Sequence, residues 1–223
     1  MKNNSILSQR FKLVLIFAIL WIYAIALSNP QGKTAGDYKA KSGPGSDTVT
    51  VKRILDGDTF ILFNDKRIRL LGVDTPEKGE PFSDTARQLA DSLLKGNEVR
   101  IETEKTKEDK YGRILGYVYY NSIFFNELLL ERGLARVYLF KGTKRYNRAL
   151  ITAQNRARNN KLGIWSLPEP EREPFYISAG GSYRFHRPLC PLIKDINTKK
   201  AKRFRTRDTA LDEGLSPCRE CRP

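Results

Sequence analysis

Between Asp56 and Arg113 the chain gathers the carboxylates of Asp56, Asp58, Asp74, Glu77 and Asp109 and the guanidiniums of Arg69 and Arg113. They come in short runs, Asp56-Gly57-Asp58-Thr59, Asp74-Thr75-Pro76-Glu77 and Asp109-Lys110-Tyr111-Gly112-Arg113, each framed by turn or strand residues. Hard oxygen ligands, a candidate general base and two forked cations are what metal-assisted attack on a phosphodiester needs. No His or Cys lies in this stretch, which disfavours zinc or copper there and favours an oxygen-ligated, calcium-type ion. Singly, each residue has a plainer reading. An Asp in Asp-Gly-Asp or Asp-Thr-Pro can be a turn-maker bonded to its own backbone, and Asp56 is assigned that role. Glu77 alone would be an exposed glutamate after a proline, and Arg69 and Arg113 solvated strand residues. Only the combination points to chemistry.

The elements that must position these residues are short β runs. VTVKRIL, TFILF and KRIRLLGV are separated by Asp-Gly and Asn-Asp turns, the spacing of a meander. Ser83 is placed as the cap of a helix from Asp84 to Lys95 that Gly96 ends. VRIETE and RILGYVYY give two more strands, and Asn121-Ser122 turns into Ile123-Phe124-Phe125. Asn126–Gly133 reads as a short helix, Leu134–Phe140 as the last strand, and Tyr146–Asn160 as a longer helix with Ala149, Leu150, Ala153 and Ala157 on one face. Periodicity alone gives a small five-stranded β-barrel with about three helices, an α+β class.

The motifs Leu55-Asp56-Gly57-Asp58-Thr59, Arg69–Glu77 (RLLGVDTPE) and Asp109–Arg113 (DKYGR), in that order, closely resemble the staphylococcal-nuclease-like (thermonuclease) family. The resemblance covers roughly Thr48 to Trp165. It implies an OB-type Greek-key barrel, a fold that commonly binds oligonucleotides. It further implies Ca²⁺ held by Asp58 and Asp74 with the backbone carbonyl of Thr75, a general base at Glu77, and a scissile phosphate gripped by Arg69 and Arg113. Arginine suits that role because its fork stays charged and presents two parallel donors. Lys110, Tyr138 and Phe140 are expected to flank the substrate; Phe140 stands where the family has a second tyrosine, so a hydroxyl contact is lost. The loop from Lys78 to Ser83 is much shorter than in the family's best-known member. Cleavage is expected to leave a 5′-hydroxyl and a 3′-phosphate.

The formal net charge of +15 and a pI near 9.8 fit a polyanion partner, DNA and/or RNA, although an anionic membrane surface would attract the same charge. Residues 1–28 carry Lys2, Arg10 and Lys12 before an apolar run from Leu13 to Leu27, then small residues at Ala24, Ala26 and Ser28. That pattern is a signal peptide or a retained N-terminal membrane anchor, and either exports the rest: secreted, periplasmic, or tethered outside the cytoplasmic membrane. Residues 29–47 form a polar tether, 48–165 the nuclease domain, 166–181 a Pro/Gly linker and 182–223 a separate module; the chain is expected to act as a monomer.

The whole chain has one His and three Cys, all in that last module. His186-x₃-Cys190 and Cys218-x₂-Cys221, separated by 27 residues, have the spacing of a closed structural zinc site. A Cys218–Cys221 disulfide with Cys190 free is the alternative in an oxidising compartment. The run Asp208–Gly214 and Pro217–Pro223 resembles the Ada-type zinc-binding domain, with His186 replacing the first cysteine; methyl transfer is not carried over. Arg203-x-Arg205-x-Arg207 is expected to place three cations on one strand face. The sequence therefore reads as an exported Ca²⁺-dependent nuclease with a zinc-stapled basic tail. Its rival is a non-catalytic surface protein that captures nucleic acid, which would need cations but no positioned base.

Overall fold

Strand β1 (Asp47–Ile54) organises the molecule. In the computed structural model, which describes residues 47–196 and 198–223, its first half pairs with β5 (Glu98–Glu102) and its second half with β2 (Thr59–Leu62). Segment 1–28 and all of the tether before Asp47 lie outside the described residues. Val51 and Ile54 point inward, while the consecutive Lys52 and Arg53 are both exposed. That break in alternation coincides with a bulge between Val51 and Arg53, which bends the strand so that it serves both neighbours.

β2 continues antiparallel to β3 (Arg67–Leu70), and β5 antiparallel to β6 (Ile114–Tyr120). β3 then pairs in parallel with β6, Arg69 opposite Leu115, and the five strands close. This is the OB-type barrel expected. β7 (Ile123–Phe124) extends β6 through the Asn121 turn. Phe60, Ile68, Leu70, Val99, Leu115 and Tyr117 fill the interior.

The run read as one strand, KRIRLLGV, divides at Leu71. Gly72 adopts φ +76° and starts β4 (Gly72–Asp74), which leaves the barrel and pairs with β8 (Arg136–Tyr138), Asp74 opposite Arg136. β8 is accordingly shorter than the Leu134–Phe140 expected.

Three helices cover the barrel: α1 (Ser83–Leu94), α2 (Phe125–Glu131) and α3 (Asn147–Asn159). Ser83 is not the cap of α1. The turn Glu77–Glu80 runs directly into the helix, Phe82 at φ 68° takes the capping position, and no side chain caps it. Gly96 ends the helix region with φ +76°, as expected. Asn126, fully buried at the start of α2, accepts from Val118 N at 2.9 Å and donates to Leu71 O at 2.8 Å, so one amide ties β6, the β3–β4 corner and α2 together. Gln154 does the same from α3, accepting from Val137 N of β8 at 2.7 Å.

The tail forms β9 (Tyr176–Ser178), β10 (Arg184–Phe185), β11 (Lys202–Phe204), α4 (Arg207–Asp212) and β12 (Ser216–Pro217). β9 pairs antiparallel with β11, and β10 parallel with β12. Its own small core is Tyr176, Phe185, Phe204, Ala210, Leu211 and Leu215, with Trp165 against it. The barrel and the tail belong to one compact unit. Gln154 Nε2 donates to Leu211 O at 3.5 Å, and Arg158 pairs with Asp212 at 2.5 Å. The three-cation strand face does not form. β11 stops at Phe204, and a capping box on Thr206 starts α4, so Arg207 becomes a helix residue bonded to Pro223 O at 3.0 Å. Among the described residues no helix is long and apolar enough to cross a membrane.

Candidate active site

The Asp56–Thr59 turn leaves β1 and lies against α1. A Cβ on Gly57 would stand 2.7 Å from Ala86 Cβ and 2.8 Å from Thr75 Cγ2, so only glycine lets the turn approach so closely. Asp56 holds the turn as expected, its Oδ1 accepting from Asp58 N at 3.1 Å. Burial, followed by the adjacent Asp58 charge, pushes the Asp56 carboxyl up to about 6. Asp58 projects into a buried polar cluster. Its Oδ2 accepts from Thr75 N at 2.8 Å and Thr75 Oγ1 at 3.0 Å, and its Oδ1 from Thr59 Oγ1 at 3.0 Å.

Arg69, on β3 and 7 % exposed, joins the two acidic turns. Its Nη1 donates to Leu70 O and Val73 O, both at 2.7 Å, while Nη2 lies 3.2 Å from Asp58 Oδ2 and 2.9 Å from Asp74 Oδ1. One nitrogen thus touches both carboxylates, which shows that Asp58 and Asp74 converge. Their hard oxygen donors, with no His or Cys nearby, fit a calcium-type ion and not a soft metal. Arg113 lines the same cavity as these groups. The Asp109 turn fixes it: Asp109 Oδ1 accepts from Tyr111 N at 2.9 Å and Arg113 N at 3.0 Å, and Oδ2 from Arg113 Nε at 2.7 Å.

All of these groups border a cavity of about 540 Å³, together with Glu77, Lys110, Tyr138 and Phe140. Every barrel residue singled out in the sequence for metal, base, phosphate or substrate contact therefore meets at one place. The Tyr138 and Phe140 rings meet edge to face with centroids 4.6 Å apart. Glu77 stands at the rim with its side chain 62 % exposed.

The tail supplies two residues to the same cavity that the sequence reading missed. Arg184, from β10, lies over the Tyr138 ring at 4.6 Å. Arg219, from the Cys218-x₂-Cys221 segment, donates through Nη2 to both Asp74 oxygens, at 2.7 and 2.8 Å, and through Nη1 to Glu77 Oε1. No local signal marks either residue, because both contacts join segments far apart in the sequence.

A second cluster lies in the tail. The ligand atoms of His186, Cys190, Cys218 and Cys221 fall within 4.8 Å of one another, and the three cysteines are free thiols. Burial, then the charge of Arg184, lowers the His186 imidazole below its ordinary value, keeping it neutral and able to ligate. Burial above all, with further contributions from the Cys190 and Cys218 sulfurs, raises the Cys221 thiol to about 12. A cation there would reverse that pressure and draw out thiolates. The cluster is able to bind a metal.

The family model described as Staphylococcal nuclease homologue matches residues 67–167. The Thermonuclease of Staphylococcus hyicus is 33% identical over 165 residues, covering 69% of this chain and 95% of that protein. This chain belongs to the staphylococcal nuclease family. The nuclease is also similar to Endonuclease YncB of Bacillus subtilis, 34% identical over 149 residues covering 62% of this chain and 71% of that protein. The Micrococcal nuclease of Shigella flexneri is 36% identical over 137 residues, covering 56% and 76%. The chain is thus a phosphodiesterase. Arg184, Arg219 and the Cys/His cluster lie beyond residue 167, where the family match ends.

Proposed function

We propose that the nuclease is an exported, Ca²⁺-dependent enzyme that hydrolyses DNA and/or RNA to 5′-hydroxyl and 3′-phosphate ends. The observation that carries this reading is the meeting of Asp58, Asp74, Glu77, Arg69 and Arg113 around one cavity. Asp58 and Asp74, with the Thr75 carbonyl, hold the ion, which when bound supplies positive charge for phosphate polarisation. Glu77, at the rim, takes a proton from the attacking water. Arg113, oriented by Asp109, donates to a phosphate oxygen as negative charge grows in the five-coordinate transition state. Arg69 fixes the spacing of the two acidic turns and adds its charge beneath the phosphate. Lys110 and Tyr138 line the path of the flanking nucleotides.

In the tail, His186, Cys190, Cys218 and Cys221 hold a structural zinc. With four protein ligands the site is closed and has no position for substrate. The labour divides between residues 48–165, which perform the chemistry, and the tail, whose folded part begins with β9 (Tyr176–Ser178) inside the 166–181 stretch expected to be a linker. Residues 1–28 direct export, as signal or anchor, and the protein acts as a monomer.

The test is to incubate purified residues 29–223 with single-stranded DNA and with RNA, in Ca²⁺ or in a calcium chelator, and to identify the product ends. Cleavage in Ca²⁺ alone, with 3′-phosphate ends, is expected. Tight binding without cleavage would replace the proposal with nucleic-acid capture.

A further inference from the structure

Arg219 gives the nuclease site a cation from outside the family's domain. Its Nη2 donates to both Asp74 oxygens, and its Nη1 reaches Glu77 Oε1. Among the described residues, all its hydrogen bonds end on these two carboxylates. Arg69 also touches Asp74, but Arg69 is buried and anchored by two backbone carbonyls. Arg219 has no such anchor, and its side chain is 51 % exposed. It can leave; Arg69 cannot.

Its main chain, by contrast, is held. Cys218 N donates to Phe185 O at 2.9 Å and Arg222 N to Cys218 O at 3.0 Å, and the residues at either end of Cys218-x₂-Cys221 belong to the Cys/His cluster. The guanidinium is therefore tethered at high local concentration beside Asp74, and only its flexible stem must move.

We propose that Arg219 sets how tightly the nuclease holds its divalent ion, by competing with that ion for Asp74. This rests on the reading above that Asp74 is an ion ligand. The physical argument is exclusion. A carboxylate whose two oxygens both accept from a guanidinium offers a dication neither a free lone pair in the right direction nor an uncompensated charge. Binding must first displace Arg219, and apparent affinity falls by the fraction of molecules in which Asp74 is free. For a half-exposed ion pair that fraction is roughly 0.1–0.3. The tail thus makes activation depend on a higher calcium concentration than the barrel alone would need.

The test is calorimetric titration of residues 29–223 with Ca²⁺, without nucleic acid, for the parent, Arg219→Ala, Arg219→Gln and Asp74→Asn. Both Arg219 variants are expected to bind Ca²⁺ about three- to tenfold more tightly than the parent, with unchanged stoichiometry. Circular dichroism and zinc content check that the tail stays folded in each. Unchanged or weaker Ca²⁺ binding in both Arg219 variants, with Asp74→Asn abolishing it, overturns the competition alone. Parent-like binding in Asp74→Asn overturns the metal assignment itself, and the competition with it.

Discussion

Replacing Arg69 by lysine separates what this residue does for the fold from what it does for the reaction. Arg69 serves four acceptors from a side chain that is 8% exposed: Leu70 O, Val73 O, Asp58 Oδ2 and Asp74 Oδ1. A lysine keeps the charge but has one nitrogen in place of a fork, so it cannot span the carbonyl pair and the carboxylate pair together. At least one buried acceptor loses its donor, at a cost of about 1–3 kcal/mol. For a protein of this size each kcal/mol lowers the melting temperature by roughly 2–4 °C, so Arg69→Lys should melt about 2–12 °C below the parent. Glu77→Gln is the control, because its side chain is 62% exposed and a surface change typically stays within about 0.5 kcal/mol. Both variants should lose on the order of 10²–10³ in turnover on single-stranded DNA, the effect of removing one preorganised group. Melting is followed by calorimetry with the divalent ion chelated, and turnover at 20 °C below the melting point of the weaker variant, chosen as roughly that margin so that both are folded. An Arg69→Lys melting point equal to the parent's would refute the structural half of the argument. Parent-like turnover in either variant would remove that residue from the mechanism.

Two further predictions concern the tail and the barrel floor. Metal analysis of purified protein should find one zinc per chain, lost in His186→Ala, and chelation should abolish the near-ultraviolet dichroism of the Tyr176, Phe185 and Trp165 cluster; a Cys218–Cys221 disulfide in protein from its native compartment would end the zinc assignment. Glu102 is buried, which works to raise its carboxyl, but the Tyr146 hydroxyl, Arg100 and Arg145 outweigh burial and hold it below its ordinary 4.5. A depressed carboxyl stabilises the fold above pH 4.5 and loses that contribution as pH falls through the lower folded value, so urea midpoints of the parent should fall more steeply there than those of Glu102→Gln; parallel curves would contradict it.

The barrel and its reactive residues were legible because their determinants are local. Apolar alternation marks β2, β5 and β6, and Asp-Gly-Asp, Asp-Thr-Pro-Glu and Asp-Lys-Tyr-Gly-Arg place charged groups on turns whose own backbone orients them. The misreadings arise where distant packing overrides a local preference. Ser83 has cap chemistry, but the turn from Glu77 runs into the helix one residue early. Arg205 and Arg207 have strand spacing, but the strand stops at Phe204 and the Thr206 capping box starts a helix at Arg207. Leu71 and Gly72 belong to an apolar run, yet the chain departs there to pair with a strand more than sixty residues away, by the register Gly72 opposite Tyr138. Arg219 reaches Asp74 across 145 residues, a contact that no pattern of neighbours encodes.

The departure at Gly72 has a consequence for motion. Asp58 rises from the closed barrel, but Asp74 belongs to the β4–β8 ribbon, which is a separate two-stranded ladder. Short ribbons are held by what packs on them and open locally without melting the sheet beside them. Here the support comes from two sides: Arg69 of the barrel bonds Val73 O and Asp74, and the Gln154 amide bonds Val137 of the ribbon and Leu211 of the tail. The two acidic turns therefore stand on foundations of different firmness. The gap between Asp58 and Asp74 is held from both sides, and loosening the docked tail would leave the ribbon tied to the barrel through Arg69 and the Asp58–Thr75 bonds.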